Sequence, residues 1–297
     1  MTENLRGAVL MVLSMAAFTF NDAFFKLAGE TLPLFQAMFL RGIVTTIFLC
    51  GLCYHLRAIR WNFSRADWQL LILRTLSEVG AAYFFLTALL NMPLANAAAI
   101  LQMLPLTVTL GGALFFGEPV GWRRYLAIAT GLFGMVLIVN PTAEGFNSYT
   151  LYAVISVVFV TARDLATRRM SKDVPSMFVT AMVSVAILVF AMFGAMTVEW
   201  VPMTVQLWSY LLGAAAFVSA GYLLSVLVMR VGDVSFVAPF RFSGLLWALV
   251  LGLFLFSQWP SPRVLLGAVI VVGSGLFLLL RERQIKSSSK PASRPAP

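Results

Sequence analysis

Ten apolar runs, each about as long as a bilayer crossing requires, leave almost nothing of this 297-residue chain for any other kind of structure. They cover approximately 5–27, 33–54, 68–90, 94–116, 122–139, 149–170, 175–198, 205–229, 233–256 and 263–280. A helix crosses the hydrocarbon core with about 20 mostly apolar residues. Inside lipid the backbone must satisfy its own hydrogen bonds, so single runs of this length are helices. Composition agrees: 60% of residues are hydrophobic and 11% charged, against roughly 25% charged in soluble domains. The expected class is an all-α integral membrane protein with ten transmembrane helices.

The connections are short and marked by Pro, Gly or polar residues, as in "GETLP", "GEPVG", "SKDVP" and "SQWPSP". The stretch from Gly7 to Phe20 behind Arg6 resembles a signal peptide, but it has a counterpart in the second half and reads as a retained helix. Orientation follows from Lys and Arg, which collect on the cytoplasmic side. With the N-terminus inside, fifteen basic residues fall on the cytoplasmic side and two, Lys26 and Arg263, on the other. Both termini are therefore expected in the cytoplasm. The net charge of +9 is accounted for by this topology, and no nucleic-acid partner is expected. Residues 285–297, Ser- and Pro-rich with no apolar face, read as a disordered cytoplasmic tail.

The chain repeats itself. "FNDAFFKLA" at 20–28 places Asp22 and Lys26 four apart, and 142 residues later "ARDLATRRM" places Asp164 and Arg168 four apart. "LANAAAILQMLPLTVTLGGALFFGEPVGWRRYL" at 94–126 matches "VSFVAPFRFSGLLWALVLGLFLFSQWPSPRVLL" at an offset of about 140. Two halves of five helices follow, 1–140 and 147–284. Because five is odd, the second half is expected to enter the bilayer inverted, a plan that places a binding site near the midplane between the repeats.

Through "FNDAFFK", "FLRG" at 39–42, "LPLTVTLGGALFFGEP", "VAPFRFSGLLWALVLG" and "LLGAVIVVGSGL" the sequence resembles the EamA-type two-repeat carriers of the drug/metabolite transporter superfamily, over nearly its whole length. Within that superfamily it is most similar to vitamin and cofactor uptake proteins such as riboflavin and S-adenosylmethionine carriers, in the Asn-Asp…Lys of helix 1 and the Pro-x-Arg-aromatic of helix 9. It departs from the pattern at Ser257 and Gln258, where a second Gly-Glu would stand. The resemblance implies a multi-pass protein of a bacterial inner membrane that moves a small organic metabolite. Its partners would be that metabolite and the lipid bilayer, with a homodimer left open.

Candidate residues come from charges that no span can place in lipid without reason. An arginine at the centre of a membrane helix costs about 2.5–3.5 kcal/mol and turns to a bundle interior or a wet cavity. Arg41, Arg74, Arg163 and Arg241 are in this position. Arg163 and Asp164 lie about 20 Å from the outer end of helix 6. As sequence neighbours they diverge by about 100° around the helix, so Asp164 is expected to pair with Arg168, while Arg163 needs a partner on another helix and is a candidate for meeting the substrate. Asp22–Lys26 and Asp164–Arg168 are then either two gates at opposite faces or two structural ion pairs. Glu78, one turn from Arg74, either compensates that charge or couples transport to protons.

Arg41 and Arg241 have no acid at helical spacing and are candidates for meeting a substrate, together with Gln102 before an expected kink at Pro105 and the rings Phe240 and Trp247 beside Arg241. A bland alternative is that these rings pack between helices. Glu118, in "GEP", is expected to make a turn and to pair with Arg123 or Arg124. Cys50 and Cys53 have C-x-x-C spacing but no partner pair, and read as small apolar packing residues. The chain shows no G-x-S-x-G or H-E-x-x-H pattern and only one histidine, so neither an enzyme, a metal site nor a cofactor is expected. Arginines together with aromatic rings favour a flat heteroaromatic metabolite such as riboflavin or S-adenosylmethionine; export of amino acids or other metabolites is the alternative.

Overall fold

Three prolines, Pro33, Pro93 and Pro175, each stand immediately before a helix, where a missing N–H and a fixed φ do no harm. The computed structural model describes residues 3–117, 121–139, 148–228 and 234–288. Its helices are α1 (Glu3–Gly29), α2 (Leu34–His55), α3 (Arg65–Asn91), α4 (Leu94–Leu101), α5 (Leu104–Phe116), α6 (Trp122–Val139), α7 (Ser148–Arg169), α8 (Ser176–Ala195), α9 (Val205–Val228), α10 (Val234–Val237), α11 (Ser243–Phe256) and α12 (Pro262–Ser288), with a 3-10 segment at Ala238–Phe242. Ten stretches among the described residues are long and apolar enough to cross a membrane. They match the ten expected passes. The last helix runs to Ser288, four residues into the stretch expected to be disordered. The rest of that tail, Glu118 and the 140–147 connection lie outside the described residues.

The fourth pass is not one kinked helix. It breaks at Gln102–Met103, where Gln102 N–H bonds to Ala99 O (3.2 Å) and Met103 N–H to Ile100 O (3.1 Å), tightening the turn before Pro105 restarts the helix. Pro105 has no N–H to give back to the preceding turn, so the chain yields upstream of the proline. The ninth pass is broken at the equivalent place: α10 gives way to the 3-10 segment containing Pro239, and α11 starts at Ser243. Both passes then end in a left-handed residue, Gly117 (φ 64°) and Ser257 (φ 51°), at the 140-residue spacing of the repeat.

Packing is organised across the halves. The most extensive helix pairs are α1·α9, α3·α7, α6·α12 and α2·α8, each joining one helix of the first half to one of the second. Exchanging the halves turns α1·α9 into α3·α7 and leaves the other two pairs in place. A Cβ on Gly80 would lie 2.7 Å from the Phe159 ring, and one on Gly221 would lie 2.9 Å from the Phe18 ring. These are one knob-in-hollow contact made twice, its members 141 residues apart. Likewise the Thr107–Thr161 hydroxyl contact (2.7 Å) in α5·α7 recurs as Phe20 beside Trp247 (6.2 Å) in α1·α11. Packing thus sets Asp22 against Arg163, not Asp164, and Lys26 against Thr167. The 142-residue match followed charge identity, whereas a one-residue shift rotates a helix by about 100° and decides which face packs.

Candidate intramembrane substrate site

Glu78 is the middle residue of α3, and its side chain is only 12% exposed. Arg163 reaches it from α7, with Nη1 donating to Oε1 (3.0 Å) and Oε2 (3.2 Å). The expected partner on another helix therefore exists. Arg74 approaches the same carboxylate at 4.0 Å and donates from Nε to Thr167 Oγ1 (3.0 Å). A charged carboxylate at this depth is tolerable because two cations and charge-assisted bonds compensate it.

Arg163 also takes Asp164, contrary to the expectation from the helical wheel: Nε lies 2.9 Å and Nη2 2.8 Å from Oδ1. Cβ directions diverge between neighbours, but the long arginine side chain curls back around the helix, and its fork faces two acids at once. Arg168 stands exposed in the last turn of α7.

A second group sits on α1 and α2. Arg41 donates from Nη1 to Asn21 Oδ1 (3.0 Å), and Asn21 Nδ2 donates to Asp22 Oδ1 (2.9 Å). The guanidinium lies over the Phe25 ring, 4.6 Å from its centroid. Asn21 thus relays between cation and acid. Two further residues link the groups. Tyr222 of α9 is within electrostatic reach of Glu78, Arg163, Arg74 and Arg41, and Arg241 of the 3-10 segment is within reach of Asp164 and Arg163. Four arginines thereby meet three carboxylates, Asp22, Glu78 and Asp164. Within this cluster the arginines exceed the carboxylates by one formal charge.

Lys26 departs from the expected Asp22–Lys26 pair. Its Nζ donates to the carbonyls of Leu89 (2.6 Å), Leu90 (3.4 Å) and Met92 (2.9 Å) at the end of α3. A cation there meets the unsatisfied carbonyls and the negative end of the helix dipole. It pins α1 to the α3–α4 turn within one half. Lys26→Met is expected to lower stability by about 1.5–3 kcal/mol, the worth of charge-assisted bonds, while leaving substrate affinity in the folded fraction unchanged. A melting curve and a binding isotherm on the same preparation check this; an affinity change at unaltered melting would restore the gate reading.

Aromatic rings flank the charges. Phe20 and Phe24 of α1 stack on Phe217 of α9 (5.0 and 5.6 Å), and Tyr210 continues the row beside Phe24. Trp247 joins through Phe20. Gln102 sits at the break of the fourth pass, its Nε2 facing the Gly244 side of the ninth. Phe240 is exposed beside Phe236 and is not among the residues that carry the cluster's bonds. Tyr222 and Phe217 were not legible as site residues, since no charge or motif marks them; Asn21, Phe20 and Phe24 lie in "FNDAFFK" but were not singled out beside its charged residues. Another hollow, of about 150 Å³, lies among helix ends beside Asn96, Thr150 and Arg263 and shares no residue with this cluster.

Comparison with known proteins follows the same lines. The chain is 28% identical over 276 residues to the pseudopaline exporter of Pseudomonas aeruginosa, covering 90% of this chain and 93% of that one. It is 24% identical over 292 residues to the S-adenosylmethionine uptake transporter of Rickettsia prowazekii, covering 96% of both. Identity to the riboflavin transporter of Vibrio cholerae is 28% over 283 residues, covering 92% and 93%. A solved crystal structure superposes with a TM-score of 0.67 at 18% identity, covering 95% of this chain and 99% of the other, which shows a shared fold. The model of the EamA-like transporter family matches residues 5–140 and again 147–280, the two halves that exchange in the packing, and the chain belongs to that family.

Proposed function

We propose that this protein is a secondary carrier that moves a small polar metabolite bearing a flat ring across a bacterial inner membrane by alternating access. The observation that carries the reading is the mid-span cluster of four arginines and three carboxylates, flanked by two passes broken at equivalent positions. Irregular backbone at membrane depth lines cavities in carriers of inverted-repeat design. Antiparallel pairing of α1 with α9 and of α3 with α7 is what ten alternating passes require, and an odd number per half inverts the second. Both termini then face the cytoplasm, in keeping with the distribution of Lys and Arg.

The row of Phe20, Phe217, Phe24 and Tyr210 offers ring faces within the same bundle interior. Riboflavin and S-adenosylmethionine, transported by the named relatives, both have flat heterocycles. Export is the second reading, favoured by the similarity to the pseudopaline exporter over nine-tenths of the chain. The test is counterflow in proteoliposomes: vesicles loaded with unlabelled compound should accumulate labelled riboflavin or labelled S-adenosylmethionine transiently. Growth rescue of auxotrophs for the compound that exchanges then separates the two directions. Absence of rescue alongside intact counterflow would favour export.

A further inference from the structure

We infer that the cleft between α2, α8 and α9 is the seat of a carboxylate, or an equivalent acidic group, on the transported molecule. This inference rests on the carrier reading and names the chemical class of its substrate. The cleft has about 50 Å³ of free volume, room for an acidic group and not for a whole metabolite, and brings together Arg41, Thr45, Thr46, Thr180, Ser184 and Tyr222. One cation and five hydroxyls make a polar niche at membrane depth.

The hydroxyls are not equivalent. Thr46 donates to Ser184 O (3.1 Å), Ser184 to Ala181 O (2.7 Å) and Thr180 to Ser176 O (2.9 Å), so their protons are already engaged with backbone. Thr45 Oγ1 is buried and has no partner, and the residue is only 9% exposed. A buried hydroxyl left unpaired costs about 1–3 kcal/mol, and here it lines a cleft beside a guanidinium. Arg41 gives Nη1 to a neutral amide, Asn21, instead of to a carboxylate. Across the cluster, cations exceed acids by one. An anionic group in the cleft would accept from Arg41 and from Thr45 Oγ1, and it would neutralise the surplus charge. Tyr222, at the far side of the cleft and in reach of Glu78 and Arg163, connects this niche to the central ion pairs.

The aromatic row lies on α1 and α9, and α9 also supplies Val218 and Tyr222 to the cleft. A molecule with a flat ring at one end and an acidic group at the other would therefore engage both surfaces of one helix. Between the relatives' substrates this favours an amino-acid-bearing compound over a neutral flavin.

The experiment uses matched pairs that differ in one acidic group: S-adenosylmethionine against its decarboxylated form, nicotinate against nicotinamide, and flavin mononucleotide against riboflavin, each assayed by counterflow in proteoliposomes of the full chain. The acidic member of whichever pair exchanges is expected to win by about tenfold or more, the worth of a charged hydrogen bond. Arg41→Gln should reduce that preference to near unity, read as the ratio of acidic to neutral exchange on the same preparation. Thr45→Val, a milder change that guards against misfolding of the arginine variant, should lower the preference severalfold. Added chloride leaves the preference unchanged if the cleft takes the substrate's own group; competition by chloride alone would show an inorganic-anion site and overturn the inference. Equal exchange of both members, or a preference that survives Arg41→Gln and Thr45→Val, overturns it while the carrier reading stands. No counterflow by any compound overturns both.

Discussion

Arg163→Gln is expected to abolish measurable transport and to lower folding stability by about 3–5 kcal/mol, the cost of breaking a buried ion pair from one side. The substitution removes Nη1 from both oxygens of Glu78 and removes Nε and Nη2 from Asp164. Two carboxylates are then left at membrane depth, with Arg74 the nearest remaining cation to Glu78 at 4.0 Å. Most of the penalty is the stranded charge, so Glu78→Gln combined with Arg163→Gln should recover part of the lost stability, Asp164 still lacking its partner. Melting temperature in detergent, together with counterflow on the same preparation, reads both effects. A double variant no more stable than Arg163→Gln alone would mean that the arginine acts through packing and not through the acid on α3.

Gly267→Val should be the most damaging change at a position with no charge. A Cβ at Gly267 would sit 2.6 Å from the carbonyl oxygen of Gly134, and one at Gly134 would lie 2.9 Å from that of Gly267. The obstacle is backbone on both sides, so no rotamer relieves it and α6 must move from α12. Small residues at such crossings let membrane helices approach closely enough for dispersion to hold them. Overpacking costs about 1–3 kcal/mol even where side chains can adjust, and here they cannot. The expected outcome is loss of monodisperse protein after extraction. Gly273 on the same helix has open space around it, so Gly273→Ala should behave as the parent. Normal yield and melting of Gly267→Val would show that the α6·α12 crossing is not needed for assembly.

The passes were legible because burial in lipid is written into length and hydropathy, which need no knowledge of neighbours. The four intramembrane arginines were legible for the same reason, and the need of Arg163 for a partner on another helix followed from cost alone. That the partner would be the carboxylate of Glu78 did not follow. The rule that adjacent residues diverge describes Cβ atoms, and it gave the wrong partner for Asp164 because arginine reaches farther than its Cβ direction implies. Lys26 was misassigned because spacing sees side chains and overlooks the bare carbonyls at the end of α3. The second helix break carried its signal, Pro239 in "VAPFRF", but uniform hydropathy across 233–256 masked it. Tyr222 had no signal at all: an aromatic residue on an apolar helix becomes a site residue only when tertiary packing brings charges to it.

Every one of the most extensive helix pairs crosses from one half to the other, and within a half the helices touch each other far less. Contacts between the halves thus make up most of the helix packing in the molecule. A half expressed alone would present its principal contact faces, Gly80 and Phe18 among them, to lipid or to a second copy of itself, because each carries both the hollow and the knob that its counterpart needs. Cutting the chain in the 140–147 connection should therefore cost little once both pieces are inserted together, whereas either piece alone is left with an interface and no core.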